Sequence, residues 1–245
     1  MTKFKYPIFN NLIGYSKYYF SSDNKKEEEE ESDPNLYLIL EYAPNGSLGT
    51  YIGKNQIDNT TKQIILIGIS KALQLIHQHR YIHLDIKPEN VYLDELFYPH
   101  LSGFDFISQV QPGIQKMVAG TPMYMAPEVS RGNPYDYKVD IYSFSIFMYA
   151  LITENKKIYD SSFFSNFVGR PTIQNFRIII NDGIRPTFDI PIKESIRDLI
   201  EQCWSGDPDV RPTSDELFNK LSHDPNYYLD DVDLEKINLY INTIQ

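Results

Sequence analysis

The sequence predicts an α+β fold in which helix outweighs strand and the strands gather toward the N-terminus. Three observations predict it. Residues 4–20 and 36–42 are rich in Tyr, Phe, Ile and Leu, the composition of strands. Between Thr61 and His79, Ile65, Ile69, Ala72 and Ile76 recur at helical spacing, which marks a helix with one buried face. From Asp140 to Thr153 the chain is apolar on most sides, as suits a helix enclosed in a core.

The elements follow in order. The segment between the first two strands is polar, and residues 21–33 carry a net charge of -5. It reads as a solvated hairpin loop held open by self-repulsion, with a docking site for a basic partner as the other reading. Asn45-Gly46 has turn chemistry. After the helix, Tyr81 to Phe106 is short and strand-like, and residues 107–135 are irregular. Pro171 to Pro191 reads as helix then loop, turning at Asp182-Gly183. Ile196–Trp204 and Ser214–Leu221 form two short helices, with Ser214 expected at the N-cap of the second. In the tail, Leu234, Ile237, Ile241 and Ile244 share a face, which predicts an amphipathic helix packed on the body, or else free for a partner.

Composition narrows the function. The chain has 245 residues, 42% of them hydrophobic, enough to bury a sizeable core. Its formal charge of -10 argues against a nucleic-acid surface. The N-terminus has no long apolar stretch, and no segment reaches the roughly 20 apolar residues of a membrane span. The single cysteine, Cys203, excludes an internal disulfide and fits a reducing compartment. A cytoplasmic protein without nucleic-acid or membrane partners is expected. His77, His79 and His83 lie close in sequence, but no H-E-x-x-H accompanies them, so a zinc site is not expected.

The chemistry-bearing motifs come next. His83-Leu84-Asp85-Ile86-Lys87-Pro88-Glu89-Asn90 places an acidic residue and an amide five positions apart. Gly120 to Glu128 reads GTPMYMAPE, and Asp140 to Phe144 reads DIYSF. Cys203 to Pro208 reads CWSGDP, followed by Arg211-Pro212-Thr213. Upstream stand Tyr6-Pro7, Leu12-Ile13-Gly14 and Leu38 to Ala43, LILEYA. In this order the motifs resemble protein kinases, whose catalytic loop reads H-R-D-L-K-P-E-N. The resemblance covers roughly residues 6–222 and is closest to serine/threonine kinases of the tyrosine-kinase-like group.

That resemblance implies a protein-kinase-like fold: residues 1–43 as a remnant of the small-lobe antiparallel sheet and hinge, with an acidic loop at 21–35; residues 44–222 as the helical large lobe; and residues 223–245 as the tail. It implies ATP and Mg2+ as cofactors if the domain is active, and none otherwise. A protein substrate or signalling partner is implied in either case. Asp85 would orient the acceptor hydroxyl and take its proton. Lys87 would offset charge on the moving phosphoryl group. Asn90 would bind magnesium, and Thr121 would shape the acceptor pocket. Leu40, Glu41, Ala43 and Tyr92 would form the adenine pocket and hinge. His83, Phe104, Glu128, Asp140 and Arg211 would be architectural, with Glu128 and Arg211 as a buried ion pair.

The sequence also departs from the pattern. Thirteen residues after Asn90, where the family's D-F-G motif is expected, the chain reads Gly103-Phe104-Asp105. Glycine offers no side-chain oxygen, and Mg2+ demands near-octahedral oxygen geometry. Asp105 is the weak substitute, roughly 6–7 Å further along an extended backbone. Leu84 replaces the loop Arg. The family's glycine-rich strand and small-lobe lysine do not occur in these residues, and a truncated chain is expected over a reduced domain. The sheet should therefore expose apolar edges. Together these readings predict a pseudokinase that works by binding, against the alternative of an active serine/threonine kinase.

Overall fold

A computed structural model describes residues 6–18, 35–54, 56–110, 117–155, 158–159 and 172–245. Most of the predicted acidic loop lies outside these residues; Asn35, its last member, opens a strand instead.

Strands β1 (Leu12–Tyr18) and β2 (Asn35–Leu40) pair antiparallel, Tyr15 opposite Leu38. The register shifts between Leu12 and Gly14, a bulge that glycine accommodates. Residues 6–11, expected to be strand, instead make a turn and a bridge: Phe9 pairs in parallel with Leu101. Ile8 and Phe9 are buried, and Leu101 donates its N–H to the Ile8 carbonyl at 2.8 Å while accepting from Asn10 at 2.9 Å. This short stretch staples the hairpin to the body.

Helix α1 (Asn59–Gln78) is capped by Asp58, whose carboxylate accepts from the Thr61 N–H at 2.7 Å. Two more two-stranded pieces follow it: β3 (Tyr81–Ile82) with β6 (Ser108–Gln109), and β4 (Val91–Leu93) with β5 (Pro99–Leu101). Next come the one-turn α2 (Pro127–Ser130), α3 (Lys138–Thr153), α4 (Ile173–Asn181), α5 (Glu194–Cys203), α6 (Ser214–His223) and the tail helix α7 (Leu234–Ile244).

Helix α3 is the centre. Every residue from Val139 to Leu151 is buried, which explains a sequence without a polar stripe. Ile65, Ile69 and Ile76 of α1 join Ile141, Phe144 and Phe147 in one core. Each such side chain contributes about 1.5–3 kcal/mol on burial. At the end of α3, Glu154 pairs with Lys62 of α1 at 2.8 Å.

Two local expectations change. Thr213, not Ser214, caps α6: it accepts from the Glu216 N–H at 3.2 Å while the Glu216 carboxylate accepts from the Thr213 N–H at 2.8 Å. Helix α7 does pack on the body, but through Ile237, Tyr240, Ile241 and Ile244, while Leu234 is exposed. The predicted apolar exposure of the sheet is present: Ile13, Tyr15, Tyr37, Leu38 and Ile39 all face solvent.

Candidate active site

The loop from His83 to Asn90 is anchored from below by α3. Asp140, in the first turn of that helix and wholly buried, accepts from the N–H of His83 at 2.8 Å and of Leu84 at 2.9 Å. His77, from the last turn of α1, meets the same carboxylate at 3.0 Å. Leu84 adopts φ 68°, a left-handed conformation that costs a non-glycine residue about 1–3 kcal/mol. The two Asp140 bonds hold the backbone there. The result is a sharp reversal, after which Asp85 meets Lys87, Asn90 and Thr121.

Asp85 is the meeting point of four donors. Oδ1 accepts from the Thr121 N–H at 3.0 Å and the Thr121 hydroxyl at 2.7 Å. Oδ2 accepts from Lys87 Nζ and Asn90 Nδ2, each at 2.8 Å. Lys87 also donates to Thr121 Oγ1 at 2.7 Å. Thr121 comes from a segment 36 residues on. It reaches Asp85 because Gly120 has φ 99° and no side chain: a Cβ there would lie 2.2 Å from the Leu84 carbonyl oxygen. Burial opposes ionisation of Asp85, but the bonds from Lys87, Thr121 and Asn90 outweigh it and hold the carboxyl below its ordinary value. The site thus presents an ionised carboxylate beside an ammonium group. A carboxylate has about four acceptor positions, and all are in use.

Gly103 stands directly behind Asn90, at φ 76°. A Cβ on it would fall 2.3 Å from Asn90 Cγ, 2.4 Å from Nδ2 and 2.7 Å from Oδ1. The carboxamide therefore covers the place where a side chain at residue 103 would begin. Asn90 Nδ2 is turned to the Asp85 backbone oxygen, at 2.8 Å, as well as to its carboxylate. Asp105 sits on a single 3-10 turn, Phe104–Phe106, with its side chain exposed. Among the described residues, no group of three or more His, Cys, Asp or Glu side chains could hold a metal ion. Of the two positions that the resemblance assigns to Mg2+, Asn90 would offer its Oδ1, while residue 103 has no side-chain oxygen and so does not fit the role of second ligand.

Phe104 itself is half-buried between two rings, Phe9 at 5.9 Å and His83 at 5.1 Å between centroids. Phe9 belongs to the staple that carries the hairpin. The ring column therefore links the sheet, the 103–105 segment and the loop.

The residues expected to hold adenine lie at the junction of hairpin and body. Leu40 ends β2 and is half-buried, Glu41 is exposed, and Ala43 opens a turn by accepting from Gly46 N–H at 3.0 Å. Glu41 is held to Asn11, its N–H donating to the Asn11 carbonyl at 2.9 Å and its carboxylate accepting from Asn11 Nδ2 at 2.8 Å. Tyr92, half-buried on β4, faces His100 on one side and bridges to Ser47 on the other. Further down, Arg211 grips Glu128 in a two-pronged ion pair at 2.6 and 3.0 Å. Two further donors go to the Ser205 and Lys138 carbonyls, each at 3.0 Å, and its cation lies 5.1 Å from the Tyr142 ring centre. Removing one member would strand a buried charge, at about 3–5 kcal/mol.

Residues 13–221 match the family model described as the protein kinase domain. The chain belongs to the protein kinase family. It is 30% identical over 216 residues to a protein kinase and PP2C-like domain-containing protein of Arabidopsis thaliana, covering 77% of this chain and 33% of that protein. It is 27% identical over 194 residues to serine/threonine-protein kinase STY17 of the same plant, covering 77% and 32%. It is 30% identical over 188 residues to human serine/threonine-protein kinase ULK3, covering 75% and 38%. The chain thus spans about a third of the length of these relatives.

Within this kinase domain, Asp85, Lys87, Asn90 and Thr121 converge with Gly103, whereas Leu40 closes β2, Glu41 and Ala43 follow it, and Tyr92 lies on β4. Glu128, Arg211 and Asp140 lie beneath. Sequence reading missed Phe9 and Gly120 as members of the site; His77 was noted only as a histidine at a place where the family's buried helix often carries one. Gly120 carried a signal, a glycine one residue before Thr121. Phe9 carried none, because its partners are distant in sequence.

Proposed function

We propose that this domain is a catalytically impaired protein kinase of serine/threonine type, a pseudokinase that acts as a binding module for a protein partner in cytoplasmic signalling. One observation carries the reading: the donor set beside Asn90 offers no side-chain oxygen at residue 103, so the cation that phosphoryl transfer needs has no second ligand there. The crowding of Asp85 supports it, since an incoming hydroxyl would have to displace one of four donors. The exposure of Asp105, two residues on, points the same way.

A second reading, an active ATP- and Mg2+-dependent serine/threonine kinase acting on a protein substrate, is favoured by the joined Asp85, Lys87 and Thr121. Transfer of labelled phosphate from ATP to a generic protein substrate separates the two. The expected result is incorporation no greater than that of Asp85→Asn. Strong Mg2+-dependent incorporation that Asp85→Asn abolishes would establish the active reading.

A further inference from the structure

We propose that a cleft at the end of α1 remote from the catalytic loop binds a free α-amino acid with an apolar side chain. The cleft encloses about 370 Å³ between the start of α1, the end of α3 and the segments that lead into α5 and α7. Helix α1 has 20 residues and is roughly 30 Å long, so the cleft and Asp85 lie at its opposite ends. The volume is near the low end for ligand sites and suits a small molecule. The lining carries two cations, Lys62 and Lys193, and two anions, Glu154 and Asp230. Lys62 pairs with Glu154 at 2.8 Å, each side chain 10% exposed. That bond uses one of the three ammonium N–H groups, and Lys62 makes no other among the described residues. Lys193 donates to the Pro225 and Tyr228 carbonyls at 3.1 and 3.2 Å, which leaves its third N–H, and no carboxylate pairs with it among the described residues. A nearly buried ammonium with unused donors calls for an acceptor in the cleft. Asp230 stands exposed at the rim, where its carboxylate can accept from a cation. The carboxylate of an amino acid meets the first need and its ammonium the second. Ile152, Ile190, Ile192 and Leu229 supply an apolar wall for the side chain. The balanced lining favours a zwitterion over a simple anion or cation, either of which would face one lining charge of its own sign.

The test is thermal unfolding of the 245-residue chain with millimolar L-leucine, L-isoleucine, L-methionine or L-phenylalanine. At least one should raise the midpoint by about 3–6 °C at tenfold excess over its Kd, and further with the logarithm of concentration. Glycine, 4-methylpentanoate and 3-methylbutylamine lack in turn the side chain, the ammonium and the carboxylate, and should leave the midpoint where it is. Ile190→Trp, at a lining position 42% exposed, should fill the cleft and remove the shift while the chain still folds. Asp230→Asn, also at an exposed position, should weaken binding about tenfold. Lys62 is kept, because its loss would strand the buried Glu154. No rise with any of these amino acids overturns the proposal. An equal rise with 4-methylpentanoate overturns the zwitterion, and a rise that survives in both variants places the ligand outside this cleft and overturns the site. No arm measures phosphate transfer, so the result stands apart from whether the domain is catalytically impaired.

Discussion

His83 shows how one buried side chain sets a pH limit on the whole fold. Its Nε2 donates to the Ser102 carbonyl at 2.9 Å, and its Nδ1 accepts from the Asp85 N–H at 3.3 Å, so the ring is neutral with the proton on Nε2. Burial pushes its pKa down from 6.5, against the opposing pull of Asp140 and the Ser102 carbonyl. The unfolded chain therefore takes up a proton near pH 6.5 that the folded chain refuses. Stability from this residue is complete above that value and falls as the pH drops below it, by about 1.4 kcal/mol per pH unit. Asp85 acts in a lower window: its depressed carboxyl adds stability above its ordinary 3.8, which is lost as the pH falls further through the folded value. Urea unfolding between pH 7 and about 5 should show the first decline, and His83→Gln should flatten it. An unchanged slope in His83→Gln would assign the decline elsewhere. The sequence marked His83 and Asp85 by their spacing, yet it could not reveal the tautomer. That depends on Ser102, 19 residues away.

At the scale of elements, α7 is instructive. Its Tyr240 is buried against Tyr98, at 4.6 Å between ring centres, and its hydroxyl has no hydrogen-bond partner. The hydroxyl enters a space left by Gly68 of α1, where a Cβ would sit 2.3 Å from it. A buried unpaired hydroxyl costs about 1–3 kcal/mol. Tyr240→Phe keeps the ring and removes that cost, so it should raise the thermal midpoint by about 2–4 °C. A fall would show that an unseen partner satisfies the hydroxyl. The amphipathic period of the tail was readable in sequence, and so was its docking. The identity of the buried face was less so, because Tyr240 looks polar in a pattern of Ile and Leu. The cap of α6 failed for a related reason. Thr213 and Ser214 are both good caps, and only the reciprocal bond with Glu216 chooses between them.

For the molecule as a whole, the large helical body and the small hairpin differ sharply in how well each is enclosed. The core around α3 was legible because its apolar runs are long and its motifs ordered. The hairpin was legible too, but its consequence is a matter of surface. Ile13 and Tyr15 are 67% and 66% exposed, and β1 and β2 have no further strand beside them among the described residues. Open apolar strands pair with other chains. The 245-residue chain should therefore associate as its concentration rises, seen in sedimentation, and Ile13→Lys with Leu38→Lys should suppress this. Unchanged association in that double variant would move the contact to another surface. What no sequence pattern revealed was the joint between the two parts, the Phe9, Phe104 and His83 column, since its rings come from three separate stretches.

Asp140 anchors the loop from the first turn of α3. Its bonds run to backbone N–H groups, whose existence depends on no particular side chain in the cleft. The shape of this loop is thus secured through its backbone, and its chemistry is carried by the side chains around Asp85. Under drift, side chains of the cleft can therefore be exchanged one at a time while the scaffold beneath keeps its form.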